Sequence, residues 1–206
     1  MEEYKEETKR TYDDYAEDYA ERRKEYLQKY LLGDIALFIK HLRGKRILEL
    51  GSGPGRDAAY LNEQGLQVVC TDISPTQVRL CKEKGLEAYE MDFEYLTFPD
   101  ASFDGVWAYT ALLHLPKSRL DAVLERICCL LKAGGIFFIG MKEGTSEGWQ
   151  ENSRYPGHKR YFALYTEEEL KGRLSKYFTI IHTSRVEVNE IHKYINALCT
   201  VKKDLR

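Results

Sequence analysis

Ile47-Leu48-Glu49-Leu50-Gly51-Ser52-Gly53-Pro54-Gly55-Arg56-Asp57 is the stretch whose reading decides the fold. An apolar run suited to a buried strand meets three glycines at alternate positions, and a helical pattern follows. Glycines at such a junction let the chain turn sharply and let a ligand lie against bare peptide. The helix N-terminus behind them favours a negative group. The spacing is G-x-G-x-G. A dinucleotide site wants G-x-G-x-x-G, and here Arg56 fills the place of its last glycine. No Gly-Lys-Ser/Thr follows, so a P-loop is excluded.

Outward from this junction, strands and helices alternate. Strands are expected at 46–50, 67–72, 87–91, 103–109 and 135–141, and helices at 56–63, 75–84 and 117–131. Ser74 caps the 75–84 helix, with Pro75 at its first position. Gly134-Gly135 is expected to end one helix and start the next strand. Residues 142–165 read as a long connection, followed by a helix at 167–176 and strands at 178–186 and 194–202. Alternation of this kind means right-handed βαβ crossovers and a doubly wound, mostly parallel α/β sheet. The last two strands are joined by a short polar turn near Asn189, so they pair antiparallel. Upstream, 1–42 form a helical arm, with Gly33 separating its charged, tyrosine-rich part from a helix at 34–42. Tyr12, Tyr15 and Tyr19 fall at i, i+3 and i+7, one face of a helix. The whole chain reads as one domain, with the arm at 1–42 and the core at 43–206.

The 206 residues suffice for a full core without disulfides or a structural metal. Basic and acidic residues nearly cancel, 31 against 33, so no global field favours nucleic acid or an anionic membrane. No run approaches the roughly 18 apolar residues of a membrane span. The start, Met1-Glu2-Glu3-Tyr4-Lys5-Glu6, has no apolar signal-like region, and 202–206 are a short basic stub. The cysteines, 70, 81, 128, 129 and 199, form no C-x-x-C pair and are expected reduced, in a cytoplasmic protein that binds no metal.

The second strand ends in Thr71-Asp72-Ile73-Ser74. A carboxylate there can accept both hydroxyls of a ribose diol; capping the next helix is the structural alternative, although Ser74 already serves it. Met91-Asp92-Phe93 follows the third strand, where an Asp beside an aromatic can take the exocyclic amine of adenine and cover its face. At this point the chain resembles the class I S-adenosylmethionine-dependent methyltransferases, in their small-molecule type. The resemblance rests on Glu49-Leu-Gly-Ser-Gly-Pro-Gly55, Asp72-Ile73-Ser74, Met91-Asp92-Phe93, Phe103-Asp104-Gly105-Val106-Trp107 and Leu130-Leu131-Lys132-Ala133-Gly134-Gly135, and it spans residues 12 to about 200.

That resemblance implies a Rossmann-like seven-stranded sheet with an antiparallel last strand, an N-terminal helical lid, and S-adenosylmethionine as cofactor. Carried onto this chain, Glu49, Gly51, Ser52 and Gly53 would hold the methionine part. Asp72 would take the ribose, Ile73 the adenine face, and Asp92 with Phe93 the adenine edge. Tyr109 would line the methyl-transfer mouth, and Tyr12 and Tyr19 of the arm would approach the cofactor, Tyr12 to bind it and Tyr19 as a candidate catalytic residue; plain helix packing is the alternative for both. A base for the acceptor's proton is sought in His114, within Leu112-Leu113-His114-Leu115-Pro116, where a near-neutral histidine suits the task and a merely orienting role is the alternative. The acceptor is expected to be a small molecule, anionic or aromatic, touched by Tyr15, Trp149, Arg160 and Tyr161. No Asn/Asp-Pro-Pro-Tyr/Phe follows the fourth strand, no Pro-Cys nucleophile is present, and no RNA-binding appendage is expected. A non-catalytic binding or interaction protein on the same fold is the rival reading.

Overall fold

A computed structural model of the protein describes residues 2–151 and 154–202; residues 203–206 of the basic stub lie outside that range. The strands are β1 (Arg46–Leu50), β2 (Gln67–Asp72), β3 (Glu87–Glu90), β4 (Phe103–Tyr109), β5 (Leu131–Lys142), β6 (Glu147–Glu151), β7 (Lys159–Ala163), β8 (Phe178–Glu187) and β9 (Lys193–Val201). The helices are α1 (Glu3–Asp14), α2 (Ala16–Arg22), α3 (Tyr26–Tyr30), α4 (Leu32–His41), α5 (Arg56–Glu63), α6 (Pro75–Glu83), α7 (Leu120–Leu130) and α8 (Glu167–Leu174).

Seven strands form one sheet in the order β3-β2-β1-β4-β5-β9-β8. The β1–β2, β1–β4, β2–β3 and β4–β5 pairs are parallel, and β9 runs antiparallel to both β5 and β8. This is the expected doubly wound sheet with a reversed last strand. Strand order reverses between β1 and β4, which opens a crevice at their carboxyl ends.

Alternation along each strand builds a core on both faces. Val106 and Ala108 of β4 join Phe137 and Ile139 of β5 under α7 and α8. Trp107 faces the other way, stacked on Phe138 at 3.9 Å and met edge-on by Phe38 of α4. Leu27, Leu31 and Ile35 complete that second core, so the end of the arm is an integral part of the fold.

Several boundaries differ from expectation. Gly33 lies inside α4 rather than before it, because buried Leu31, Ile35 and Phe38 keep one helical face continuous across it. Tyr15 sits in the break between α1 and α2, so the three tyrosines do not share one helix. The 117–131 segment opens as a 3-10 turn, Lys117–Arg119, before α7. Gly134-Gly135 do not end a helix; they lie inside β5, which starts at Leu131 opposite Phe103 and carries an irregularity between Phe103 and Gly105. The 142–165 connection contains the β6–β7 hairpin, outside the main sheet.

Candidate active site

Two cavities meet at the carboxyl edge of β1 and β4. The first lies over the glycine loop. The loop backbone is left-handed at Gly51, Gly53 and Gly55, with φ of +59°, +53° and +72°. The three glycines are not equivalent. A Cβ on Gly51 would stand 2.5 Å from the Ala111 Cβ, and one on Gly55 would stand 2.5 Å from Leu86, so both allow close packing. A Cβ on Gly53 would meet only Tyr19, at 3.9 Å, and would project into the cavity.

Glu49 and Ser52 are buried at the floor of this cavity. The Ala58 N–H serves the Glu49 carboxylate, but its Oε2 has no hydrogen-bond partner. Burial, reinforced by Asp57, holds the Glu49 carboxyl well above the usual carboxylate range. Asp57 itself accepts from Trp107 Nε1 at 3.1 Å and from Arg56 at 2.6 Å, so Glu49 is the unmatched acid. At the end of β2, Asp72 accepts from the Gly53 N–H at 2.8 Å and the Ser74 N–H at 2.9 Å. One side chain thus ties two loops together, while Ser74 Oγ caps α6 by accepting from Gln77 N. Burial pushes the Asp72 carboxyl up to about 6, helped by Asp13 and opposed by its N–H donors. Ile73, Asp92, Phe93 and Tyr109 also line this cavity. Tyr109 is buried, with its hydroxyl 2.7 Å from that of Tyr26.

The arm forms the roof. Tyr4, Lys5, Thr8 and Tyr12 of α1 line the first cavity. Lys5 Nζ lies 2.6 Å from Asp92 Oδ2 and also bonds Glu94, so Asp92 is ion-paired to the arm. Asp13 accepts from Ser74 Oγ and Thr76 N, and Gln77 Nε2 donates to the Tyr12 carbonyl. Nothing in the local sequence marks Lys5; 87 residues separate it from Asp92.

The second cavity, about 630 Å³, is lined by the arm, β7, the end of β5 and the β8–β9 turn. Tyr12, Tyr19, Arg23, Thr110 and His114 border both cavities and so mark the passage between them. Thr110 holds φ of +56°, an uncommon conformation for a β-branched residue and a local strain at this passage. Arg23 and Thr110 were absent from the expected site; the signal for Thr110 is its position directly after β4 at the switch point.

His114 Nδ1 lies 2.7 Å from the Tyr161 carbonyl, which can only accept, so the proton sits on Nδ1. Nε2 therefore accepts from the Tyr12 hydroxyl at 2.9 Å, and that hydroxyl accepts from Arg160 Nη1 at 3.0 Å. Burial, followed by the Arg160 charge, pushes His114 down to about 3, against the pull of the Tyr161 carbonyl. The near-neutral histidine expected from its position is thus replaced by one that is neutral across the working pH range. Burial also holds the Tyr12 phenol above its ordinary value, which keeps it protonated.

Tyr15 and Arg160 line the second cavity, with Tyr15 stacked on Tyr155 at 3.7 Å. Trp149 and Tyr161 do not. They are cross-strand partners on the outer face of the hairpin, with Trp149 40% exposed and Tyr161 bonded to Glu147. Side chains alternate along β7, so 160 and 162 point inward while 159 and 161 point out. Tyr161 still contributes its backbone carbonyl to His114. Tyr19 presents its ring to both cavities and meets Tyr12 edge-on at 5.5 Å.

Residues 48–139 match the family model described as a methyltransferase domain. Methyltransferase GfsG of Streptomyces halstedii is 30% identical over 101 residues, 45% of this chain and 36% of that protein. The chain therefore spans little more than a third of that relative's length. Phosphoethanolamine N-methyltransferase of Plasmodium falciparum is 27% identical over 181 residues, 84% of this chain and 65% of that one. The crystal structure of Burkholderia thailandensis 1,6-didemethyltoxoflavin-N1-methyltransferase, with 1,6-didemethyltoxoflavin and S-adenosylhomocysteine bound, superposes with a TM-score of 0.75. The match covers 98% of this chain and 90% of that one at 24% identity, and it shows a common fold. Among the described residues, no helix is long and apolar enough to cross a membrane.

Proposed function

This chain belongs to the class I S-adenosylmethionine-dependent methyltransferases, and from that premise we propose that it methylates an oxygen or nitrogen atom of a small molecule. The observation that carries the reading is the buried, unpartnered Glu49 Oε2 at the floor of a cavity open at Gly53. An ammonium group is the natural partner for such an acid, and the cofactor's methionine end carries one. Asp72 would accept the ribose diol on the lone pairs its N–H donors leave free. Ile73 and Phe93 would flank adenine, and Asp92 would meet its amine. The cofactor supplies a methyl group on a sulfonium whose leaving group is a neutral thioether.

The rest falls to the chain's own residues. Tyr12, Tyr19 and Thr110 frame the passage, where an acceptor atom must be held about 3 Å from the methyl carbon with water excluded. His114 accepts the Tyr12 hydroxyl and fixes the ring that closes the passage, which makes it a positioning residue rather than a base. His114→Ala is then expected to lower turnover by less than the roughly 100-fold that loss of a general base brings. The pH–rate profile should keep its shape. A larger fall, or loss of a limb between pH 6 and 7 by about that much, would restore the base role.

Asp72 gives a sharper test. Asp72→Ala should weaken cofactor binding by at least about 1.5–3 kcal/mol, the worth of one hydrogen bond to a charged group. The sign of the pH effect follows from the raised pKa. Above about 6 the carboxylate is ionised and ready to accept the diol; below it the protonated form must first lose its proton. Affinity for S-adenosylhomocysteine should therefore fall as pH drops through 6, and Asp72→Asn should abolish that dependence. In the free protein the ionised, buried carboxyl costs stability. That cost is absent below the ordinary 3.8 and is incurred as pH rises through about 6.

The reading as a whole is tested by calorimetric titration with S-adenosylmethionine, S-adenosylhomocysteine and NAD, followed by acceptor screening through S-adenosylhomocysteine release. Binding of the first two and not NAD is expected. Preference for NAD, or no binding of either sulfur compound, would overturn it.

A further inference from the structure

Lys142, at the end of β5, and Arg160, on β7, both line the second cavity and lie against one ring. Lys142 Nζ is 5.4 Å and Arg160 Cζ 5.0 Å from the centre of Phe162. Arg160 donates Nη1 to Tyr12, and its buried Nε has no partner. Neither cation is ion-paired with a carboxylate among the described residues; the Arg160 charge acts on Lys142 and the Arg23 charge on Arg160, whose own charge is favoured by the Tyr12 and Tyr19 phenols. Arg22 and Arg154 also line this cavity, with the exposed Glu151 as its one acidic lining residue. Arg22 is neutralised by Asp18 at 2.7 Å. Two adjacent cations drawn partly out of water repel each other and lose hydration, a cost that only a nearby anion offsets. Burial and the Arg160 charge accordingly hold the Lys142 ammonium below its ordinary pKa. A guanidinium fork and an ammonium against one ring suit an oxyanion, one giving bidentate geometry and the other a point charge.

We infer that Lys142 and Arg160 form the seat of an anionic group, a carboxylate or phosphate, on the methyl acceptor. Arg160 bonds Tyr12, which borders the passage, so an acceptor anchored here by its anion presents its other end to Thr110 and Tyr12. This inference rests on the methyl-transfer reading for what the second cavity holds, and its test separates the two.

The full chain is first titrated with S-adenosylhomocysteine, then the saturated protein with inorganic phosphate, benzoate and benzamide, followed by protein NMR. Saturable binding of phosphate or benzoate, and none of the isosteric neutral benzamide, is expected. Whichever of the two anions binds tighter gives the class of the group. Arg160→Met and Lys142→Met should each weaken anion binding by about tenfold or more, the loss of one charge-assisted contact. Arg160→Lys should recover part of it, and Lys29→Gln on the arm's outer side should change nothing. Retained S-adenosylhomocysteine affinity certifies that each variant is folded. Benzamide binding as well as benzoate, or anion affinity unchanged in both Met variants, overturns the anion seat. Anion binding at these cations without S-adenosylhomocysteine binding keeps the seat and overturns the methyl-transfer reading alone.

Discussion

Gly53→Val is expected to fold and to bind no measurable S-adenosylhomocysteine. At Gly53 the backbone has φ of +53°, which costs a residue with a side chain about 1–2 kcal/mol, a tolerable fraction of a domain's stability. The added atoms point away from the core, with Tyr19 at 3.9 Å the one neighbour. They project into the first cavity, where a ligand would lie against bare peptide. Gly55→Val is the contrasting variant. Its Cβ would run into Leu86 at 2.5 Å and Cys81 Sγ at 2.9 Å, so it should destabilise the fold itself. Circular dichroism and calorimetric titration of the pair separate the two effects. A folded Gly53→Val protein with wild-type affinity would move the cofactor elsewhere.

Removal of residues 1–20 should leave the sheet intact and abolish nearly all methyl transfer. The apolar anchor of the arm lies later, at Leu27, Leu31, Ile35 and Phe38, all essentially inaccessible to solvent. Before residue 21, Ala16 is the one apolar side chain in the core among the described residues, and beside the Tyr15–Tyr155 stack docking depends on polar contacts. These are Lys5 with Asp92 and Glu94, Arg119 with Glu2, and Asp13 with Ser74. The exposed Arg119–Glu2 pair is worth little and weakens with salt, and the attraction within the buried Lys5 pairs is largely offset by the cost of taking those charges out of water. The roof over the passage should therefore open locally at far lower cost than the sheet. Amides of residues 8–24 are expected to exchange quickly in the free protein, faster still at high ionic strength, and to slow with S-adenosylhomocysteine bound. Exchange that is slow and indifferent to the ligand would make the arm a fixed structural element and end the lid reading.

What could be read from the chain beforehand, and what could not, divides along one physical line. The β1–α5 junction and the placement of Asp72 and Asp92 at the first cavity are legible because each is set by its own place at a strand end. Lys5, Lys142 and the protonation of His114 were not legible, since each depends on a partner brought in by the fold. His114 is neutral first because the fold buries it and then because the charge of Arg160, 46 residues away, acts on it. Trp149 and Tyr161 were misplaced for a related reason. Composition shows that aromatics and cations gather in 142–165, but only a strand's two-residue period decides which of them face the cavity. Gly33 shows the opposite failure, a local breaker overruled by the apolar face of α4.

The walls of the two cavities come from different parts of the chain. Strand ends and the loops of the βα units form most of the first; the arm, the β6–β7 hairpin and the β8–β9 turn form most of the second. The hairpin touches the main scaffold through few regular pairings, such as the Glu143–Tyr165 bridge at its base. On the proposed methyl-transfer reading, acceptor choice is thereby modular with respect to the chemistry. Among the inward positions of the hairpin, Gln150 can be exchanged in a library without disturbing the sheet or the glycine loop, whereas Phe162 is buried in the core and Arg160 holds Tyr12. Residues bordering both cavities lack that freedom, because Tyr12, Tyr19 and Thr110 shape both at once. An engineering campaign that redirects this protein to new acceptors should therefore find its gains on the hairpin and its dead variants at the passage.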